Sequence, residues 1–170
     1  MLPSADSFEK QVLSLVPSLR RYSRSLAKSD SDGEDLLQDC VEKVLVRRGQ
    51  WRGINLRAWA FTIMTNLYRD RHRRTAGHPS VEFDETLGLA AEDLSGDPLE
   101  KTRLQRALNE LTPDHRAVLM LVVVEGYAYQ DVADLLSIPI GTVMSRLSRA
   151  RRQMTALLAE SNIVPLRRPK

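Results

Sequence analysis

The sequence predicts an all-α fold in which two small helical domains are joined by a flexible acidic linker, with a helix-turn-helix in the second domain. Apolar residues recur at helical spacing along most of the chain, and strand patterns are nearly absent. Between Thr75 and Pro98 there are six acidic residues and no Lys or Arg, whereas basic clusters stand on either side. Near the C-terminal end, two short helical patterns flank a tight turn, and the second is rich in arginine. We place the domains at residues 5–75 and 98–160 and the linker at residues 76–97.

The first domain is predicted to contain three helices. The first runs from about residue 7 to residue 28, and Pro17 is a point at which it can kink. The second begins with a capping box in which Ser31 is the N-cap and Glu34 reaches back to it, and it ends at a basic cluster with Gly49 as the C-cap. The third covers about residues 56–74 and carries a stripe of large apolar residues.

The second domain is predicted to begin with two helices that share one start signal. Asp97-Pro98 and Thr112-Pro113 each place a capping residue before a proline at the first helical position. A helix-turn-helix follows, with a supporting helix at residues 131–136 and a turn at residues 137–139. The last helix then repeats apolar residues at i, i+4, i+7 and i+11, namely Val143, Leu147, Ala150 and Met154.

The opposite face of this last helix contains hydroxyl and guanidinium groups and no acid. Its members are Thr142, Ser145, Arg146, Arg149 and Arg152. Short donors at the start of a helix, followed by arginines, suit a helix that lies in the DNA major groove. A solvated basic face is the alternative, since charge runs usually face water. The acidic supporting helix next to a wholly basic one favours DNA binding.

Composition excludes several classes of function. The chain has 170 residues and a formal net charge of +3. Its single cysteine, Cys40, cannot form an intramolecular disulfide, and we expect a buried thiol in a cytoplasmic protein. No segment approaches the ~18 apolar residues of a membrane span, and the N-terminus has no signal-peptide pattern. Three scattered histidines give no metal-ligand spacing, and no phosphate loop or nucleophile motif is present. We therefore expect no catalytic residues, metal or cofactor.

Several short motifs occur in a characteristic order along the chain. They are Asp35-Leu36-Leu37-Gln38-Asp39, Asn55-Leu56-Arg57-Ala58-Trp59 with Asn66 and Asp70, Leu111-Thr112-Pro113, and Gly141-Thr142-Val143 followed by Ser145-Arg146-Leu147 and Arg149-Ala150-Arg151. Together they resemble the extracytoplasmic-function sigma factors of bacterial RNA polymerase over nearly the whole chain. The segment at residues 55–63 is similar to the alphaproteobacterial general-stress subgroup.

This resemblance implies a sigma factor that binds core RNA polymerase and directs promoter-specific initiation, without chemistry of its own. The implied partners are core polymerase, through its β′ clamp helices and β flap, promoter DNA and an anti-sigma factor. The implied docking face for polymerase consists of Asp35, Gln38, Asp39 and Glu42. Without the resemblance, a solvated helix face would be the simpler interpretation.

The resemblance also implies which residues contact each promoter element. The −10 element is assigned to the loop at residues 50–55 and the helix after it, with Trp51, Asn55, Asn66, Arg69 and Arg73 as candidates. Trp51 could equally seal the loop onto the core. The −35 element is assigned to the basic face of the last helix. Two residues depart from the family pattern: Met144 stands where a lysine is common, and Ala128 stands where Ser or Thr often caps the supporting helix.

Two other functions stay open at this point. A sigma-like decoy would bind an anti-sigma factor without directing transcription, and a stand-alone helix-turn-helix regulator would bind duplex DNA without polymerase. The intact recognition helix disfavours the decoy, and the regulator would leave the acidic face of the first domain unexplained. The linker is expected to act as a tether whose charge shields the basic faces of both domains.

Overall fold

The structure, a computed structural model, describes residues 5–77 and 98–160. These ranges form seven α-helices and a short 3-10 helix, Arg48–Gln50. The helices are α1 Ala5–Leu26, α2 Asp30–Val46, α3 Leu56–Gly77, α4 Pro98–Asn109, α5 Pro113–Val123, α6 Tyr129–Leu136 and α7 Ile140–Glu160. No strand occurs in the described ranges, and the all-α prediction is confirmed. The predicted cap Asp97 and residues 78–97 of the predicted linker lie outside the described residues.

Helices α1, α2 and α3 pack around a shared apolar core. Tyr22 of α1 stacks on Phe61 of α3 with ring centroids 4.9 Å apart, and its hydroxyl forms a hydrogen bond of 2.9 Å with that of Thr65. Burial raises the pKa of the Tyr22 hydroxyl. Cys40 of α2 is fully buried, as predicted, and burial raises the pKa of its thiol to about 12. The thiol is therefore a small core side chain rather than a reactive group.

The ends of α2 differ from the prediction. Ser29, not Ser31, is the N-cap, because the extended backbone of Ser29 lets its hydroxyl accept a hydrogen bond from the amide of Asp32 at 3.1 Å. Glu34 does not reach back to the cap, since it pairs with Arg20 and Arg24 of α1. Gly49 does not cap α2 either. The chain tightens directly into the 3-10 helix after Arg47, and no left-handed glycine is needed there.

The second domain packs α4, α5 and α6 against α7. The apolar stripe of α7 is buried as predicted, at Val143, Leu147, Ala150 and Met154. The hydroxyl of Thr112 caps α5 by accepting from the amide of His115, and Pro113 occupies the first turn, which confirms that start signal. Helix α6 ends at Leu136, and the left-handed backbone of its C-cap Ser137 (φ 54°) makes the turn into α7.

The two domains are in contact, and their buried side chains form one continuous core. Helix α5 packs against α1 and α3, and α6 packs against α3. Arg116 of α5 is 2 % exposed and donates to the carbonyls of Ser25 and Ala27, at the end of α1, at 2.8 Å each. Its Nη1 donates to the backbone carbonyl of Leu108 and to Oδ1 of Asn109, both in the second domain. Burial lowers the pKa of the Arg116 guanidinium, but the carbonyls at the negative end of α1 stabilise its charge.

Candidate nucleic-acid and polymerase interfaces

The polar face of α7 is partly open to solvent. Ser145, Arg149 and Arg152 are exposed, and Thr142 is half-buried. The hydroxyl of Ser145 donates to the backbone carbonyl of Thr142 at 3.1 Å, within the first turn of the helix. Because the apolar stripe fixes the rotation of α7 on its domain, these side chains project from a rigid support. That is the requirement for reading base edges in a groove.

Arg146 differs from its neighbours on this face, because it is held by an acid. Its side chain is 21 % exposed, and its Nη2 lies 2.8 Å from Oδ2 of Asp114. The other oxygen of that carboxylate, Oδ1, lies 2.8 Å from Nε of Arg69 on α3. One carboxylate therefore bridges a residue assigned to the −35 element and a residue assigned to the −10 element. We call this arrangement the Asp114 bridge.

Trp51 does not occupy the accessible position that a base-stacking residue needs. It is 7 % exposed, its ring lies 5.3 Å from that of Phe8, and its Nε1 donates to the carbonyl of Ile54 at 3.0 Å. The assignment of Trp51 to the −10 element is therefore corrected. The aromatic side chain seals the loop onto the core, because burial of a large ring together with its donor is the more stable arrangement.

The remaining −10 candidates lie on or next to α3. Asn55 has a positive φ of 38°, and its side chain accepts from the amide of Ala58 at 3.0 Å, as a helix N-cap does. Asn66, Arg69 and Arg73 follow at i, i+3 and i+7, which places them along one side of the helix. Asn66 is exposed, and Arg73 forms an ion pair with Asp70. The hydrogen bond that Arg73 donates to Asp70 lowers the pKa of the Asp70 carboxyl.

The predicted docking face lies on the solvent side of α2. Asp35, Gln38, Asp39 and Glu42 are all exposed. Asp39 forms an ion pair with Arg71 of α3, with 2.6 Å between Nη2 and Oδ2. Beside this face lies an open groove between α1 and α2. Four apolar side chains and four polar or charged ones line it, namely Val16, Leu37, Val41 and Leu45 with Arg20, Glu34, Gln38 and Glu42. The face thus combines acids with adjacent apolar side chains.

A second acidic residue, Glu125, also joins the two domains, and sequence patterns did not reveal it. Glu125, two residues after the end of α5, has a fully buried side chain. It accepts hydrogen bonds from Arg21 at 2.9 and 2.8 Å and from Arg57 at 3.0 Å. The Arg57 guanidinium also lies over the rings of Phe61 and Tyr127, at 5.2 and 5.7 Å from their centroids. The partners come from helices far apart along the chain, and no local pattern relates them.

In the described part of the chain, no group of His, Cys, Asp and Glu is arranged to hold a metal ion. None of the helices there is long and apolar enough to cross a membrane.

Comparison with known proteins identifies both domains. Residues 12–65 match the family model described as the Sigma2 domain of PhyR, and residues 101–154 match Sigma-70, region 4. The chain is 34 % identical over 163 residues to the ECF RNA polymerase sigma factor EcfG of Rhodopseudomonas palustris (strain TIE-1), which covers 92 % of this chain and 88 % of that protein. The chain belongs to the ECF sigma factors of RNA polymerase.

Solved structures agree with this membership. The sigma factor RpoE of Bartonella quintana, determined in complex with the anti-sigma factor NepR, is 32 % identical with a TM-score of 0.72, covering 90 % of this chain and 97 % of that one. CnrH in complex with the cytosolic domain of CnrY is 25 % identical with a TM-score of 0.67, covering 94 % and 92 %. The predictions of a sigma factor, and of a fold with two sigma domains, are confirmed.

Proposed function

We propose that this ECF sigma factor directs core RNA polymerase to stress-response promoters, with α2 as the docking helix, α3 as the −10 reader and α7 as the −35 reader. The observation that carries the proposal is the match to EcfG along 92 % of the chain. A regulator that acts without polymerase would have no use for the first domain.

The α2 face suits docking on a basic or polar surface of polymerase. Asp35 and Asp39 lie one turn apart, and Gln38 projects between them. Acids at a rim increase the rate of association and fix orientation, while the apolar side chains of the groove next to them supply buried area. Arg71 partly neutralises Asp39, so we expect Asp35 to be the stronger contributor of free charge.

The α3 and α7 faces suit the two forms of promoter DNA. On α3, cations and the amide of Asn66 can follow the backbone and edges of a melted strand. On α7, Thr142 lies one turn before Arg146, and Ser145 lies one turn before Arg149. This order places short donors near phosphates and guanidinium groups near guanine edges in a duplex.

An anti-sigma factor is the third partner that we infer. RpoE and CnrH, the two solved proteins compared above, are each bound to an anti-sigma factor or to a cytosolic domain of a second protein. We infer that a protein of this kind binds here too and keeps the sigma factor from polymerase until it is released.

Transcription in a purified system tests the function. Genomic fragments are transcribed by core polymerase with and without the protein, and the RNA 5′ ends are sequenced. We expect a small set of start sites that appear only with the protein and share two upstream elements. If no start site depends on the protein, while a NepR-type anti-sigma factor still binds it, the chain is a decoy and the proposal is wrong.

A further inference from the structure

The Asp114 bridge joins residues that the proposed function assigns to two different promoter elements. Asp114 lies in the first turn of α5, and its partners come from α3 and α7. Its two oxygens each lie 2.8 Å from a guanidinium nitrogen, one of Arg69 and one of Arg146. A carboxylate with two guanidinium partners resembles a DNA phosphate in charge and in hydrogen-bond geometry.

Other contacts hold the domains in the same arrangement. Arg116 donates to the last carbonyls of α1, and the buried carboxylate of Glu125 is bonded to Arg21 and Arg57. The hydroxyl of Thr62 on α3 also donates to the carbonyl of Leu135 on α6 at 3.1 Å. These contacts satisfy two buried charged groups of the second domain, Arg116 and Glu125, with partners from the first domain. Several contacts of α5, α6 and the segment after α5 therefore hold the two domains together. We call this arrangement the closed form.

In the closed form, one side-chain nitrogen of Arg146 has no hydrogen-bond partner in the described part of the chain. Among the described residues, two buried side-chain polar atoms have no hydrogen-bond partner, Nη1 of Arg146 and Nδ1 of His115. One belongs to the bridge itself, and the other belongs to the residue that follows Asp114. An unsatisfied donor on Arg146 is unfavourable in the closed form, and a base edge or a phosphate could satisfy it.

We propose that Asp114 is an intramolecular competitor of promoter DNA. In the free protein it holds one DNA-facing arginine of each domain on a single carboxylate, and it thereby favours a closed form that binds promoter elements weakly. Docking on polymerase separates the domains and releases both arginines together. The inference rests on the proposed function, because it assumes that Arg69 and Arg146 contact DNA.

The central experiment compares the free parent protein with Asp114→Asn. The affinity for a fluorescent duplex that carries the −35 element found by transcription is measured by anisotropy. If the closed form holds ~90 % of the parent molecules, complete release would raise the affinity about tenfold, since apparent affinity scales with the open fraction. Because Arg116 and Glu125 still join the domains in the variant, we expect Asp114→Asn to bind about two- to tenfold more tightly. Glu110→Gln, which removes one exposed negative charge from the same domain, is the control and should bind like the parent. Equal affinity of Asp114→Asn and the parent would overturn the proposal.

A second variant, Arg69→Gln, tests the proposal in case Asp114→Asn does not fold. It removes a positive charge, yet we expect it to bind DNA more tightly. Loss of an arginine ordinarily weakens binding to DNA. Arg69→Gln breaks the contact with Asp114 between the domains but leaves α7 unchanged, so it should bind the −35 duplex more tightly than the parent. Arg73→Gln is the matched control on α3, because its ion-pair partner is Asp70 of the same helix. If Arg69→Gln weakens binding as much as Arg73→Gln does, the bridge does not restrain α7.

Two further measurements separate failure of this inference from failure of the proposed function. With core polymerase, Asp114→Asn should give the same start sites as the parent, because the domains are already apart. Absence of protein-dependent start sites for both proteins would contradict the proposed function. Small-angle X-ray scattering tests closure without DNA. We expect a larger radius of gyration for Asp114→Asn than for the parent and for Glu110→Gln, and an unchanged radius would overturn the inference whatever the transcription result.

Discussion

Arg116 and Arg146 show how the surroundings of one guanidinium group decide its role. Both are arginines of the second domain, and both are largely removed from solvent. Arg116 is hydrogen-bonded to backbone carbonyls of both domains, so its charge is satisfied where it lies. Arg146 has one carboxylate partner and one unsatisfied nitrogen. The first is a structural residue, and the second can exchange its partner for another anion.

Replacing Arg116 by alanine should lower the free energy of unfolding by ~2–5 kcal/mol, because several buried acceptors lose their donor and a cavity is left behind. Urea denaturation followed by circular dichroism measures the loss. Arg106→Ala, on the exposed side of α4, should change stability by no more than ~0.5 kcal/mol. Equal effects of the two changes would show that Arg116 does not join the domains.

Replacing both Arg146 and Arg149 by alanine should weaken −35 recognition. Each lost base contact costs ~1–3 kcal/mol and relaxes the preference at its position. The measurement is the binding of polymerase holoenzyme to promoter fragments with single-base changes in the −35 element. Arg106→Ala holoenzyme should keep the preference of the parent, and a double variant with unchanged affinity and selectivity would exclude this face of α7.

Helices α2 and α6 differ in how their N-termini are stabilised. Helix α2 is capped by Ser29, and its acids stay on the exposed face, where a partner can reach them. Helix α6 is preceded by Ala128, which has the extended backbone of an N-cap (φ −66°, ψ 155°) but no side chain that could accept a hydrogen bond. Packing of Val132 and Ala133 against the domain core holds this short helix instead.

Charge reversal on α2, Asp35→Lys with Asp39→Lys, should reduce binding to core polymerase while the helical content stays unchanged. The acids provide charge complementarity at the rim of the docking face, and a lysine in place of Asp39 would in addition repel Arg71. Affinity for core is measured by fluorescence titration. Reversal of two exposed acids elsewhere, Glu9→Lys with Glu100→Lys, is the control. If both double variants bind core as the parent does, α2 is not the docking helix.

Ala128→Ser should stabilise the protein by ~1 kcal/mol, since the backbone at this position already suits a cap and the new hydroxyl can accept from an amide of the first turn. Thermal and urea denaturation measure the gain. Ala156→Ser places the same hydroxyl on an exposed position within α7 and should be slightly destabilising. A destabilising effect of Ala128→Ser would mean that the start of α6 is constrained by its tertiary contacts.

At the scale of the whole molecule, the two small domains share one core and bury charged groups between them. Domains of this size are individually marginal in stability, so their contact contributes to the stability of the free protein. The same contact restrains Arg69 and Arg146. If Arg69 and Arg146 contact promoter DNA as we propose, stability of the free form and access of DNA are opposed, and polymerase would have to supply the free energy that separates the domains.

The closed protein should lose stability as the pH falls below about 6.5. Burial lowers the pKa of His72 and of His115 from the ordinary value of 6.5, with Lys28 and Arg116 acting in the same direction on His72, and Arg146 and Arg149 on His115. Asp114 opposes this effect at His115 only in part. Below pH 6.5 the unfolded chain binds more protons than the folded one, so the free energy of unfolding decreases until the folded pKa values are reached.

Urea denaturation between pH 8 and pH 5 measures this dependence. The variant His72→Gln with His115→Gln should show a shallower decrease below pH 6.5 than the parent. The free energy of unfolding of each protein at pH 8, where both imidazoles are neutral, serves as the reference for that protein. Parallel pH profiles for the two proteins would show that neither histidine is linked to folding.

Local patterns in the sequence determined most of the helices and much of the candidate site. The period of Val143, Leu147, Ala150 and Met154 fixed which face of α7 is buried, and Thr112-Pro113 fixed the start of α5, because these signals involve neighbours within a few turns of one helix. The exposed acids of α2 followed from the same periodicity.

Only the tertiary structure decided where Trp51 lies and which charges meet across the domains. A tryptophan in a loop can equally stack on a base or seal a core, and contact with the distant Phe8 selects the second. The partners of Asp114 and Glu125 come from other helices far along the chain. Such pairings depend on how helices pack, and they leave no period or spacing in the sequence from which they could be read.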